Sequence, residues 1–320
     1  DGKPHEKPAL FNTEYGVVET TYTEADESYA AKRRSQKSNV RTRQLPGVSP
    51  LVFSRFLLEK TAFLSLSDMG KALPSYEEIP IACRMDEAVQ SEYKRIENAL
   101  VRVLRSDRRA AQKILSAYLN LLTVYPDQPY DQKPILYPDS DVPIVEPENI
   151  GDADTLGEKE QRTLEIVRAA IQNGERALIY TSWVRTDSQQ KLKKLLTDEG
   201  YRTEILTDKI KTTDREDWVQ KKLAAGMQVL IVNPSLVETG LDLNAFTTLV
   251  FYSMGYKLFT LRQASRRSWR INQKAPAVKV YMLYYEDTMQ QKCLKLMASK
   301  LAVAGLIEGN FSEEGLAAMS

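Results

Sequence analysis

Residues 229–253, VLIVNPSLVETGLDLNAFTTLVFYS, contain two apolar runs joined by a polar loop. The runs Val229–Val232 and Thr248–Ser253 are apolar on both faces, which is typical of strands buried inside a parallel sheet. Ala177–Trp183 and Val278–Tyr285 have the same character. Because these runs alternate with amphipathic helical segments, the sequence predicts an α/β fold, a doubly wound parallel sheet covered by helices.

The predicted helices carry recognisable start signals. Thr186 with Gln189, and Thr213 with Glu216, have the spacing of capping boxes, in which each side chain bonds the backbone N–H of the other residue. A last helix is predicted from about Asp287, ending at Gly305.

Composition divides the chain into four predicted segments, which are 1–48, 49–125, 126–157 and 158–320. The first is polar and is expected to be partly flexible, although its basic run Lys32–Arg43 could touch nucleic acid. The second contains a short strand, Ile79–Cys83, and two amphipathic helices, so we expect it to be mostly helical. The fourth holds the strand–helix alternation.

The third segment is rich in proline and strongly acidic. Ten acidic residues and two lysines lie between Asp127 and Glu160. Such sequence resists compaction, so it is predicted to form an extended hinge between two bodies. The alternative is a long ordered loop that covers one domain.

Overall composition excludes several protein classes. The 320 residues carry a net charge of +1, so a preference for an anionic partner must come from a local patch. Two cysteines, Cys83 and Cys293, cannot form a disulfide framework, which favours a reducing, cytoplasmic compartment. No apolar run approaches the ~20 residues needed to span a bilayer, so no membrane partner is expected.

The first residues have no Met and no apolar signal core, which predicts a cut fragment. The single histidine, His5, argues against His-dependent catalysis and a His-rich metal site.

The strongest local charge pattern is QASRRSWRINQ, Gln263–Gln273. It lies in a window, Leu243–Tyr285, with no Asp or Glu and seven Lys or Arg, which indicates an anionic partner. Arg267 and Arg270 are three residues apart and are therefore expected on one helix face, pointing outward, where two guanidiniums could grip phosphate together. A basic surface helix without a ligand is the alternative.

A second candidate region follows the strand Val229–Val232, since ligands collect at the carboxyl ends of parallel strands. Gly240 allows the backbone to approach a ligand closely, and Asp242 could accept a hydrogen bond from a ribose hydroxyl. A turn with a helix cap would explain the same residues.

Two motifs in this order resemble the second RecA-like lobe of superfamily 2 helicases and translocases, and more narrowly their Swi/Snf branch. The first is TGLDL, and the second, some twenty residues later, is Q-x-x-x-R-x-x-R. The last motif of that branch typically reads Gln-Ala-x-Asp-Arg-x-His-Arg-Ile-Gly-Gln. Arg266, Trp269 and Asn272 depart from its Asp, His and Gly. YTSW, Tyr180–Trp183, is similar to the strand that opens the lobe. The matching residues of the last motif are Gln263, Ala264, Arg267, Arg270, Ile271 and Gln273.

The resemblance implies the C-terminal half of an ATP-dependent DNA helicase or translocase, in which residues 49–125 would be the end of the first lobe and residues 158–320 the C-terminal lobe. ATP with Mg²⁺ would be bound mainly by a first RecA-like lobe, because G-x-x-x-x-G-K-[ST] does not occur here. The chain alone is therefore expected to be inactive.

The resemblance also implies roles for single residues. Arg270 would be the arginine finger and Arg267 its catalytic companion. The implied nucleotide contacts are Gln263, Gly240 and Asp242, and the implied contacts to nucleic acid, expected to be double-stranded DNA, are Tyr180, Thr181, Ser182, Ser235 and Thr239.

Two other functions remain as alternatives. A non-catalytic RecA-like module that binds nucleic acid or a protein would fit two departures from the family pattern, Arg266 and the pair Val237–Glu238, which stands where the family has two glycines. A Rossmann-type enzyme is disfavoured because no Gly-rich turn follows the first strand of the domain. Trp183 and Trp269 could stack on a base or on adenine, with packing as the alternative for each.

Overall fold

The computed structural model describes most of the chain in two compact units. One unit comprises the described residues between 66 and 297. The other comprises those between 8 and 60 together with the last helix from Ala298 onward. The described residues are 8–22, 40–48, 52, 55–56, 59–60, 73–182, 187–237, 241–255, 257–270 and 273–307.

The smaller unit contains a helix and a pair of strands. Its regular elements are α1 (Pro8–Tyr15), β1 (Gly16–Tyr22) and β2 (Val40–Val48), the two strands being antiparallel. The ring of Tyr15 lies 5.3 Å from that of Phe56, and its hydroxyl accepts a hydrogen bond from Arg55 Nη1 at 3.0 Å. Regular structure thus occupies part of the segment expected to be flexible. Lys32–Asn39, most of the basic run, lies outside the described residues.

The larger unit begins with a strand and two packed helices, which are β3 (Ser75–Cys83), α2 (Glu87–Ser106) and α3 (Arg108–Val124). The two helices share an apolar core, which accounts for their apolar residues at steps of three and four. Asp107 Oδ1 accepts hydrogen bonds from the backbone N–H groups of Arg109 and Ala110, and this caps the start of α3.

The acidic, proline-rich segment is an ordered loop in the structure. It contains the short antiparallel strands β4 (Ile135–Leu136) and β5 (Pro143–Val145). Val145 is buried in the core shared by α2 and α3, and Tyr125 Oη donates a hydrogen bond to the carbonyl of Glu148 at 2.8 Å. The segment thus follows the ordered-loop alternative, because its apolar side chains find partners on the preceding helices.

The rest of the larger unit alternates strands with helices. These elements are α4 (Glu158–Gln172), β6 (Ala177–Tyr180), α5 (Ser188–Asp198), β7 (Thr203–Leu206), α6 (Arg215–Ala224), β8 (Val229–Val232), β9 (Thr248–Phe251), α7 (Leu258–Ser265), β10 (Ala277–Tyr285) and α8 (Met289–Ile307), of which the part up to Met297 belongs to this unit. Six strands form one sheet in the order β3-β10-β9-β6-β8-β7, and every neighbouring pair is parallel. The α/β fold with a helix-flanked parallel sheet is confirmed.

The centre of the sheet is entirely covered. Every residue of β6, β8 and β9 is buried, which explains their unbroken apolar sequence. β6 lies between β8 and β9, where the strand order reverses, so the crevice at its carboxyl end is the expected ligand-binding position of such a sheet.

β3 extends the sheet at one edge. Its pairing with β10 runs from Ser75 opposite Ala277 to Cys83 opposite Tyr285. The sequence predicted only a shorter strand from Ile79, within a segment distinct from the sheet. An edge strand tolerates Pro80, which lacks an N–H, because β3 pairs on one side only.

Two helix features differ from expectation. α8 continues through Gly305 to Ile307. In α5, Gln189 Nε2 donates to Thr181 Oγ1 at 2.8 Å, and Thr186 lies outside the described residues. Every helix in the described ranges is too short or too polar to cross a membrane.

Candidate functional site

The arginine segment, defined as the described residues 266–270 and 273, lies beyond α7. That helix ends at Ser265, so the predicted helix face carrying Arg267 and Arg270 together does not form. The hydroxyl of Ser265 donates to the carbonyl of Arg262 at 3.1 Å. Hydroxyl groups that bond the backbone in this way compete with helix formation.

One side of the arginine segment contacts the loop that precedes β9. Ser268 Oγ donates to the carbonyl of Leu243 at 2.9 Å. Gln273 Nε2 donates to the carbonyls of Asn244 and Ser268, each at 2.9 Å. The structure therefore brings together the two regions that the sequence singled out, the TGLDL loop and the arginine stretch.

The other side of the arginine segment contacts the start of β3. Trp269 Nε1 donates to the carbonyl of Pro74 at 2.8 Å, and the indole lies 5.3 Å from the ring of Tyr76. The guanidinium carbon of Arg266 lies 5.4 Å from the centroid of the Trp269 ring and 5.9 Å from that of Tyr76. Arg266, which replaces the usual Asp, thus makes cation–π contacts, and Trp269 has a packing role.

Arg267 lies inside the domain, which differs from the expected outward position. Its side chain is 9% exposed, and Nη2 donates to Gln263 Oε1 at 3.0 Å. The Arg267 guanidinium also affects the pKa of Tyr180. Burial raises the pKa of the Tyr180 phenol, and the nearby positive charge of Arg267 opposes part of this rise. Gln263, a predicted nucleotide contact, thus has a partner within the chain.

Arg270 differs from Arg267 in both exposure and contacts. Its side chain is half-buried, and it makes no hydrogen bond or ion pair with any other residue that the structure describes. Its guanidinium donors therefore remain available to an anion.

Asp242 is held in a turn by two hydrogen bonds. Its Oδ1 accepts from the N–H of Asn244 at 3.0 Å, and its own N–H donates to Glu216 Oε2 at 2.9 Å. Glu216 had been predicted to cap a helix with Thr213. Instead, Thr213 Oγ1 bonds Asp214, and Glu216 fixes the Asp242 loop. No local sequence pattern signals this role, since the partners are 26 residues apart.

Two predicted nucleic-acid contacts lie in the interior. Tyr180 and Thr181 are 0% exposed. Tyr180 Oη donates to the carbonyl of Ala264 at 3.0 Å, and Thr181 is bonded by Gln189. Both side chains therefore support the sheet and α7 from within. Thr239 and Gly240 lie outside the described residues, as does Trp183.

Ser182 and Ser235 line a cavity of about 430 Å³ at the carboxyl ends of β6, β8 and β9. Ser182 Oγ donates to the carbonyl of Ser253 at 3.0 Å, and Asn233 Nδ2 donates to the carbonyl of Ser182 at 3.1 Å. Ser235 Oγ donates to Asn233 Oδ1 at 2.6 Å. Lys257, exposed at the cavity, makes no ion pair with another described residue. A volume of this size falls within the range of about 300–1,000 Å³ typical of ligand sites.

Comparisons with known proteins agree with this architecture. Residues 158–272 match the family model described as the helicase conserved C-terminal domain. A search of curated protein sequences found no significant match. The C-terminal part of the Fun30 ATPase domain is 14% identical, with 70% of this chain and 89% of that chain covered and a TM-score of 0.52.

Two structures from Sulfolobus solfataricus are also similar. Its SWI2/SNF2 ATPase core in complex with dsDNA is 20% identical, with 74% of this chain and 47% of that chain covered and a TM-score of 0.52. Its SWI2/SNF2 ATPase C-terminal domain is 18% identical, with 71% and 87% covered and a TM-score of 0.51. This chain thus spans about half the length of the SWI2/SNF2 ATPase core that was solved with dsDNA. At sequence identities this low, the similarity shows a shared fold only. Residues 158–272 thus match a helicase conserved C-terminal domain, and the chain is similar in fold to the C-terminal parts of the Fun30 and SWI2/SNF2 ATPases.

Proposed function

We propose that this chain is the C-terminal half of an ATP-dependent Swi/Snf-like DNA helicase or translocase, to which it supplies an arginine finger and half of the nucleic-acid track. The observation that carries this proposal is Arg270. It has a half-buried guanidinium with no partner among the described residues, on a segment that is bonded on both sides.

Arg270, Arg267 and Asp242 would have different roles toward a bound nucleotide. ATP supplies the phosphoryl group whose transfer drives such motors, and Mg²⁺ would be held by the first lobe. Arg270 would donate to phosphate oxygens, where charge accumulates during the reaction. Arg267 would orient Gln263 from inside the domain, since it bonds that side chain. Asp242 uses Oδ1 in its own turn, and its other carboxylate oxygen would accept from a ribose hydroxyl.

The cavity at the switch point would lie on the nucleic-acid track. Ser182 and Ser235 supply hydroxyl oxygens there, and Lys257 supplies a cation, which is the chemistry that contacts a phosphate backbone. Duplex DNA is the proposed substrate, with support from the similar Sulfolobus ATPase core, which was solved with dsDNA. Tyr180 and Thr181 would support this surface from beneath. Thr239 stays a predicted contact to nucleic acid, and Gly240 stays a predicted contact to the nucleotide.

Lys257→Ala in the parent protein is expected to weaken binding to duplex DNA of any sequence. Removal of one phosphate contact should lower the slope of log affinity against log salt by about one. The measurement is a fluorescence-anisotropy titration at several salt concentrations. Lys133→Ala removes the same charge from another exposed position and should keep the wild-type slope. An unchanged slope for Lys257→Ala would remove this lysine from the track.

The 320-residue chain by itself is expected to turn over no ATP, because it lacks the phosphate-cradle motif. Phosphate release by a clean, folded preparation, measured with and without duplex DNA, tests this expectation. ATP turnover above background that scales with the concentration of the chain would contradict the proposal that ATP is bound mainly by a first lobe.

A non-catalytic RecA-like module is the second candidate, favoured by the burial of Arg267, which leaves Arg270 as the more exposed arginine of the pair. Such a module would bind duplex DNA or a protein without DNA-stimulated ATP hydrolysis by the parent protein. DNA-stimulated hydrolysis would favour the motor.

A further inference from the structure

We infer that Trp269 is a positioning residue for Arg270, and that the edge strand β3 supplies the point to which it is bonded. This inference rests on the proposed function, because it concerns the residue that would act on ATP. Its physical basis is the bond between Trp269 Nε1 and the carbonyl of Pro74, at 2.8 Å.

The arginine segment needs such a contact because it has little regular backbone structure of its own. After α7 ends, the N–H of Trp269 bonds the carbonyl of Arg266 at 3.3 Å, and the N–H of Gln273 bonds that of Arg270 at 3.0 Å. These isolated turns fix a backbone less firmly than a continuous helix does. Side-chain contacts must therefore supply much of the constraint on the Arg270 backbone.

Trp269 supplies that constraint on the residue directly before Arg270. Its indole is limited by a hydrogen bond at one edge, by the ring of Tyr76 at 5.3 Å and by the guanidinium of Arg266 at 5.4 Å. An indole has only two side-chain torsions, so these three contacts leave it little freedom. The Cα of Trp269, and with it the start of Arg270, is thereby held against the edge of the sheet.

The bonded partner is itself fixed to the sheet. Pro74 directly precedes β3, and the N–H of Ser75 donates to the carbonyl of Pro276 at 2.9 Å, where β10 is about to begin. A shift of the chain ahead of β3 would therefore be transmitted through Trp269 to the arginine segment. Misplacement of a catalytic group by about 1 Å can cost about 10²-fold in rate.

The test uses the parent protein and Trp269→Phe. Phenylalanine keeps a ring beside Tyr76 and Arg266 but has no N–H for Pro74. We expect kcat for ATP hydrolysis to fall by about 10- to 100-fold, with KM for ATP within about twofold of wild type. Trp218→Phe makes the same chemical change in α6 and should leave kcat unchanged.

A double-mutant cycle separates positioning from a general loss of structure. If Trp269 acts through Arg270, Trp269→Phe should lower kcat in the wild-type background but cause no further fall in an Arg270→Ala background. Additive losses in kcat, or a single variant that turns over within about twofold of wild type, would overturn the inference. A wild-type parent protein without ATPase activity would refute the proposed function, whereas an active parent with an unaffected Trp269→Phe variant would refute the positioning role alone.

Discussion

Arg270→Ala in the parent protein is expected to lower ATP turnover by about 10³-fold or more while changing the affinity for ATP only slightly. A guanidinium that reaches the transferring phosphoryl group acts mainly on the charge of the transition state, so its loss appears in kcat rather than in binding. Steady-state hydrolysis with saturating duplex DNA, together with a fluorescent-nucleotide titration, measures the two quantities separately.

Lys274→Ala is the matched control, because it removes a positive charge four residues further along the chain from an exposed side chain. It should keep nearly full turnover. Hydrolysis by Arg270→Ala within a few-fold of wild type would show that the finger is another residue. Equal losses in both variants would point to a general effect of charge.

Lys159→Met is expected to lower the free energy of unfolding by about 3–5 kcal/mol, because it leaves a buried carboxylate without its cation. Lys159 Nζ is completely buried, 2.7 Å from Asp127 Oδ1 and 3.2 Å from Gln290 Oε1, and it lies 4.5 Å from the centroid of the Tyr252 ring. Asp127 is equally inaccessible, so water cannot replace the lost partner. Chemical denaturation at neutral pH measures the difference.

Lys113→Met offers a control for this effect, because Lys113 pairs with Asp139 at 2.8 Å on an exposed surface and its loss should change stability little. Lys159→Met combined with Asp127→Leu should recover much of the lost stability, since it removes the charge that was left buried. If the double variant is no more stable than Lys159→Met, the uncompensated charge is not the cause.

The penalty in Lys159→Met should also depend on pH. Burial raises the pKa of Asp127, and Lys159 opposes this rise in the wild type. Without the lysine, the folded-state pKa should rise further above the unfolded value, so the folded state binds a proton that the unfolded state has lost. The penalty should therefore shrink on acidification and grow as the pH rises from the unfolded-state pKa of the carboxyl through its higher folded-state pKa. A penalty that is constant over this range would contradict the assignment to Asp127.

The central strands were predictable because burial on both faces leaves an unbroken apolar run. The predicted bounds of β8 agree with the observed Val229–Val232. The same reasoning also implies a buried Tyr180, since a strand covered on both faces leaves no side chain for a ligand. Similarity to a family motif had instead favoured a surface position for it.

The interactions that sequence reasoning missed join residues far apart in the chain. Lys159 and Asp127 are 32 positions apart, and Trp269 bonds the carbonyl of a residue 195 positions earlier. Local composition gives no information on such partners, so composition alone favoured a hinge for the acidic segment. The arginine stretch had helical spacing, but Ser265 and Ser268 bond carbonyl groups instead, and the helix ends before the arginines.

The buried contacts between the acidic loop, α4 and α8 restrict where a motor built on this lobe could bend. Gln290, on α8, accepts from Lys159 and donates to the carbonyl of Thr123 at the end of α3. A rotation of the chain within residues 126–157 would separate these buried hydrogen-bonding groups from their partners. The helix pair α2–α3 would therefore move together with α4, α8 and the sheet.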